Sequence, residues 1–389
     1  MKIPFSYSWR SLWTRRLTTI LTLSGISLVA FVFAAILMMA HGVEVAMVES
    51  GSEDNVIALR KSATSELVSQ VDRESANILT THAEIAHGSD GKPVSSSEVM
   101  VVINLFKKVS NDLSNVSVRG ISPEAFQLRQ QVKLIEGRPL KFGTHEIIIG
   151  RSVAQRFKGC DVGSNIKFMG DQWLIVGIFD AGGNSFESEI WSDVEQLMPA
   201  VGRPIFSSVT LRLTDKNQFD ALKERVQKDP RTQSIELKRE QVFYEEQSKA
   251  LAGFIRILGT IVTIIFSVGA IIGAVITMYA AVSNRTIEIG TLRSLGFRRR
   301  SILTAFLIES MILSLIGGVI GTALASFMSF VRLSTVNFGT FSELAFGFEL
   351  SPNVIVSTLI FAVVMGIVGG FLPAVRAARL NIVNALRSS

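Results

Sequence analysis

The chain has 389 residues, 48% of them hydrophobic, a mean hydropathy of +0.38, a formal net charge of +6 and one cysteine. Such apolar excess is more than a soluble core of this size needs, and a lone Cys160, read as a small packed residue, excludes an internal disulfide framework. The positive charge does not read as nucleic-acid binding, because it is unevenly placed: residues 41–252 hold 25 basic and 29 acidic residues, the remainder 14 basic and 4 acidic.

Crossing a hydrocarbon core of about 30 Å takes about 20 helical residues, and four apolar runs are long enough: Leu17 to Ala40, Ile257 to Val282, Ile302 to Val331 and Asn353 to Leu372. Residues 1–16 carry Lys2, Arg10, Arg15 and Arg16 and no acid. Phe5, Trp9, Leu12 and Trp13 share one helical face there, which predicts a cytoplasmic amphipathic helix at the membrane interface. The run over 17–40 is too long for a signal-peptide core, so it reads as a retained transmembrane helix with its N-terminus inside.

Residues 41–252 then lie on the outer side. Ser65 to Thr80 has helical spacing, and His82 to Ser97 is rich in turn residues. Asn115 to Ile121, Glu146 to Gly150, Asn165 to Gly170 and Gln172 to Phe179 read as short strands. Asp215 caps a predicted helix running to Lys228, and Gln241 to Arg256 reads as a helical stem continuous with the second span. The expected fold class is an α-helical membrane protein: four transmembrane helices plus a mixed α/β extracytoplasmic domain inserted between helices 1 and 2.

The loop over 283–301, SNRTIEIGTLRSLGFRRRS, sets Arg285, Arg293, Arg298, Arg299 and Arg300 against Glu288, the mark of a cytoplasmic loop. Ile289, Leu292 and Leu295, three apart, predict a short helix that Gly296 ends. Its apolar face either meets a protein in the cytoplasm or packs back on the base of its own chain. The third span leads out to a short loop with Glu343 and Glu349, and the fourth returns to a tail over 373–389 with Arg376, Arg379 and Arg387. Both termini are therefore expected inside and the large domain outside.

Gly269 with Gly273, Gly317 with Gly321 and Gly366 with Gly370 stand four apart within the spans, spacing that lets helices approach closely, within the chain or between chains. Glu309 is the acid inside a span, either functional or simply bound to a hydroxyl or an arginine.

No catalytic constellation is present. GxxxxGK[ST], HExxH and GxSxG are missing, and His82 and His87 flank Glu84 at a spacing that makes no zinc site. The expectation is a non-enzymatic chain without a metal or a cofactor of its own.

Glu288, Gly290, Arg293, Leu295, Gly296, Glu309 and Ser310 resemble the FtsX-like permease domain of MacB-type ABC transporters. So does the tail at Pro373, Ala374, Arg376, Ala377, Ala378, Ala385 and Leu386, with Ile382 where a proline is common. Looser similarity to the family's first span and periplasmic core domain extends the resemblance over nearly the whole chain, residues 51–115 excepted. It implies a periplasmic core domain over 41–252 and a permease domain over 253–389. It further implies a bacterial inner-membrane subunit that dimerises with an identical or related permease, contacts membrane lipid and receives a cytoplasmic ABC ATPase holding ATP and Mg. Family members of MacB type carry that ATPase fused ahead of the first span, so here it is expected as a separate subunit. Ile289, Leu292 and Leu295 would then form the coupling helix. The implied activity is export or extraction of a hydrophobic or amphiphilic substrate such as a lipid, lipoprotein, peptide or drug. The alternative is an FtsX-like signal transmitter that regulates an extracytoplasmic enzyme, and whether a periplasmic adaptor binds stays open.

Overall fold

The computed structural model describes residues 16–381, so the helix expected over 1–16 and the end of the tail lie outside the described residues. Two compact units emerge. Among the described residues, a helical unit holds 16–41, Phe254–Val331 and 348–381, and a sheet unit holds Gly42–Gly253 and Arg332–Gly347.

Chain order begins with α1 (Arg16–Val48), β1 (Asn55–Arg60), α2 (Arg73–Thr80), β2 (Ser95–Phe106) and β3 (Leu113–Ile121). Next come α3 (Ala125–Leu128), β4 (Lys133–Gly137), β5 (Glu146–Gly150), α4 (Arg151–Arg156), β6 (Asn165–Phe168) and β7 (Asp171–Asp180). They are followed by β8 (Glu189–Asp193), α5 (Val194–Ala200), β9 (Ser208–Arg212), α6 (Phe219–Lys228) and β10 (Ile235–Arg239). The C-terminal part comprises α7 (Glu240–Ser283), α8 (Thr286–Ser294), α9 (Arg299–Ser326), the strands β11 (Arg332–Val336) and β12 (Glu343–Gly347), and α10 (Pro352–Arg379).

Among the described residues four helical stretches are long and apolar enough to cross a membrane: Thr19–Val48, Glu240–Ser283, Arg299–Phe330 and Pro352–Arg379. The fourth runs further than the sequence pattern predicts. Pro373 lies inside α10, and the helix continues to Arg379 because Ala374 and Ala377 beyond the proline are fully buried.

Glycine decides how these helices approach. A methyl group at Gly366 would fall on the Ser314 side chain, one at Gly370 on Ser310, and one at Gly321 on the Ser27 carbonyl and Ala30. Gly317 lies against Ile26. Gly269 and Gly273 meet nothing, and both line an open groove of about 390 Å³ with Gly25, Thr22 and other residues of α1 and α7. Gly366→Val should therefore lower the detergent-solubilised chain's melting midpoint by the equivalent of about 1–3 kcal/mol of overpacking, whereas Gly273→Ala should leave it unchanged.

In the sheet unit the strands run β10-β1-β9-β2-β3-β8-β5-β7-β4, with β6 also paired to β7. The β3–β8 and β5–β7 pairs are parallel and the others antiparallel. Strand β2 joins the two halves: Ser95 to Glu98 pair with β9, and from Val99 onward the strand pairs with β3. Residues 51–115, where the sequence alone showed no family resemblance, supply β1, next to the edge strand β10, and β2, which joins the two halves of the sheet. Ser65 to Thr80 is helical only from Arg73, where the Asp72 side chain accepts a hydrogen bond from the Ser75 amide and starts α2. Asp215 caps a 3₁₀ turn, Lys216–Gln218, that leads into α6. Cys160 is buried, and burial pushes its thiol up to about 11.

Candidate coupling site

Helix α8 is closed tightly at its C-terminus. Gly296 adopts φ +94°, its amide donates to the Arg293 carbonyl, and the Phe297 amide donates to the Leu292 carbonyl. This Schellman pattern needs a left-handed residue after the helix, which glycine adopts without steric cost.

The helix lies on the base of its own unit. Ile289 is 2% exposed, packed with Met278, Val282, Ile302, Phe306, Ala374 and Ala377. Gly290 is buried, Leu292 and Arg293 are half-buried, and Leu295 is 66% exposed. Ile289, Leu292 and Leu295 therefore do not share a face. Steps of three residues accumulate, so Ile289 and Leu295 stand about 120° apart around a helix of 3.6 residues per turn. The outward apolar residues are Ile287, 51% exposed, and Leu295, separated by about 80° with exposed Thr291 between them. A count in steps of four would have found them.

An ion pair fixes the other end. Arg285, 7% exposed at the start of α8, donates from its NH1 group to Glu309 Oε2 at 3.2 Å and lies 3.4 Å from Glu288 Oε2. Glu309, 6% exposed on α9, thus ties the middle of one long helix to the start of the short one. Of the two readings open for Glu309, the arginine contact is present. Glu309→Gln should lower the unfolding midpoint in detergent, since a hydrogen bond to a charged group contributes about 1.5–3 kcal/mol. An unchanged midpoint would mean the pair adds nothing to packing.

A second attachment, the hairpin β11–β12, lies where the sequence pattern predicts only a short acidic loop. Within the sheet unit Glu343 is buried, paired with Lys107 and with Arg156 at 2.7 Å, and accepts from Ser114 Oγ at 2.7 Å. Arg332 reaches Glu187 at 3.1 Å, the Ala345 amide donates to Ser188 Oγ, and the Ser117 hydroxyl bonds that of Ser342. Buried paired charges and hydroxyls of this kind hold one register, because leaving any member unpaired is costly. The segment between α9 and α10 is therefore strapped into the sheet unit. Among the described residues no group of three or more His, Cys, Asp or Glu is placed to hold a metal ion.

Comparison with known proteins finds two family models in the chain. Residues 19–229 match the MacB-like periplasmic core domain and residues 260–382 the FtsX-like permease C-terminal domain. The macrolide export ATP-binding/permease protein MacB of Shewanella oneidensis is 26% identical over 398 residues, covering 96% of this chain and 58% of its own length. This chain thus spans little more than half of that relative. YknZ of Bacillus subtilis, described as an uncharacterized ABC transporter permease, is 26% identical over 288 residues, 70% of each chain. The periplasmic region of MacB from Actinobacillus actinomycetemcomitans covers 50% of this chain and 92% of its own at 13% identity, with a TM-score of 0.39. With more than half of its residues in the MacB-like core domain and the FtsX-like domain following, the chain belongs to the MacB/FtsX-like family of ABC transporter permeases.

Proposed function

We propose that this chain is the membrane subunit that converts ATP hydrolysis by a cytoplasmic ABC ATPase into movement of its sheet unit on the outer side. The movement drives export or extraction of a hydrophobic or amphiphilic substrate: a lipid, lipoprotein, peptide or drug. The four long helices cross the bacterial cytoplasmic membrane with both termini inside, and two permease subunits pair around the transport path. ATP and Mg reside on the ATPase.

One observation carries this reading. Helix α8 is held rigidly by Ile289, the Arg285–Glu309 pair and the Gly296 cap, yet offers Ile287 and Leu295 from an arginine-rich loop. A rigid anchor that leaves apolar side chains uncovered suits transmission of a push from a docked protein. Strain entering at α8 passes to α9 and, through α7 and the β11–β12 strap, to the sheet unit.

The test uses the permease and its ATPase in proteoliposomes. Lipids, lipopeptides or amphiphilic drugs added to the outer face should raise ATP hydrolysis. Stimulation only by an extracytoplasmic enzyme would instead assign the chain as a signal transmitter.

A further inference from the structure

The sheet unit buries an unbalanced set of charges where β2 passes from β9 to β3. Glu66, Glu98, Glu189 and Glu240 are each 7% exposed or less, as are Arg119 and Arg129, and half-buried Arg212 is the next cation. Three guanidiniums thus face four carboxylates. A net buried charge is expensive to keep, and a carboxylate in that position takes up a proton instead.

The hydrogen bonds identify which one. Both oxygens of Glu98 accept from Arg129, and one also from Arg119. Glu66 and Glu189 each engage Arg119 through both oxygens, with Ser208 Oγ and the Trp191 indole as further donors. Glu240 differs. Its Oε2 accepts from Asn55 Nδ2 at 2.8 Å and the Ser52 amide at 3.0 Å, while Oε1 has no hydrogen-bond partner, the nearest guanidinium nitrogen of Arg129 lying at 3.8 Å. Tyr244, one helical turn along α7, also has a buried hydroxyl without a partner. Arg212 reaches this corner indirectly, through Asn55 Oδ1.

We propose that Glu240 is a proton-binding site, and that its proton latches the start of α7 to the segment that follows α1. Glu240 is the first residue of α7, and Ser52 and Asn55 follow the end of α1. The backbones are in close contact, since a methyl group at Gly51 would lie 2.8 Å from the Gln241 nitrogen. With the proton in place the cluster is neutral and the junction closed. Its loss leaves one uncompensated carboxylate near Glu98, with Glu66 and Glu189 beyond; the Ser52 and Asn55 donors favour the charged form but do not offset its desolvation, so the junction opens to admit water. Burial raises Glu240 above the ordinary carboxylate range, against the opposing effects of Arg129, Asn55 and Ser52. Because the folded value is raised, the stabilisation is present below the unfolded value and is lost as pH rises through the folded one.

The full chain in lipid nanodiscs, without ATPase, tests this independently of the coupling reading. Infrared spectra at neutral pH should contain the carbonyl stretch of a protonated carboxylic acid that Glu240→Gln removes. The unaltered chain's melting midpoint should fall as pH is raised, whereas that of Glu240→Gln should start at least as high and lack this fall. Absence of the band, its persistence in Glu240→Gln, or a Glu240→Gln chain that melts lower or fails to accumulate would overturn the proposal.

Discussion

A chain carrying Ile287→Asp together with Leu295→Asp is expected to insert, fold and melt like the unaltered chain, and to lose its ABC ATPase. Both side chains are more than half exposed in the free subunit, so charging them costs its fold little. At a docked interface each would place a carboxylate in a desolvated contact. Truncating such anchors costs about 2 kcal/mol or more apiece, and two of them weaken binding on the order of a thousandfold. Copurification of the ATPase with the double variant reads this directly, and undiminished recovery would remove Ile287 and Leu295 from the docking face. Ile289→Asp should fail differently. It forces a charge into the packing of Met278, Val282 and Phe306, and is expected to lower folded yield before any question of partner binding arises.

Replacing Arg119 by Met is expected to unfold the sheet unit at neutral pH. The Arg119 guanidinium contacts Glu66, Glu98 and Glu189 at 2.7–3.0 Å and lies over the Phe186 ring. Burial alone would lower its proton affinity, yet Glu189 and Glu66 raise it well above the ordinary value, so it stays charged. Removing one partner of a buried pair costs about 3–5 kcal/mol, comparable with the whole stability of many domains. Arg119→Lys should not rescue, since an ammonium cannot bridge three carboxylates in the plane of a guanidinium. Limited proteolysis of the full chain should release fragments of residues 42–253, whereas Arg138→Ala, which breaks an exposed pair with Glu146, should leave digestion unchanged.

What the sequence disclosed follows from which signals are local. Long apolar runs, the arginine loop and the β-branched strands Glu146 to Gly150 and Gln172 to Phe179 report structure through nearest neighbours, and these elements appear where the pattern put them. Gly296 was legible because only its own backbone matters. Ile289 was not, since whether an apolar residue on a short helix faces a partner or its own base depends on α7, α9 and α10, far away in the chain. Glu309 was visible as an acid within a span, but Arg285, its partner 24 residues earlier, was counted only as loop charge. Buried Arg119 sat inside a run read simply as a strand, because its partners Glu66 and Glu189 are 53 and 70 residues distant. The β11–β12 strap was missed for the same reason: a five-residue strand signals little until its docking partners are known.

Coupling to an ATPase is the centre of the account, and purification of the chain from its native membrane in mild detergent, followed by mass spectrometry of what accompanies it, tests it most directly. An ABC ATPase together with lipid, lipoprotein or a periplasmic adaptor is the predicted result. Recovery of the intact, folded permease with no ATPase under any nucleotide condition would contradict it.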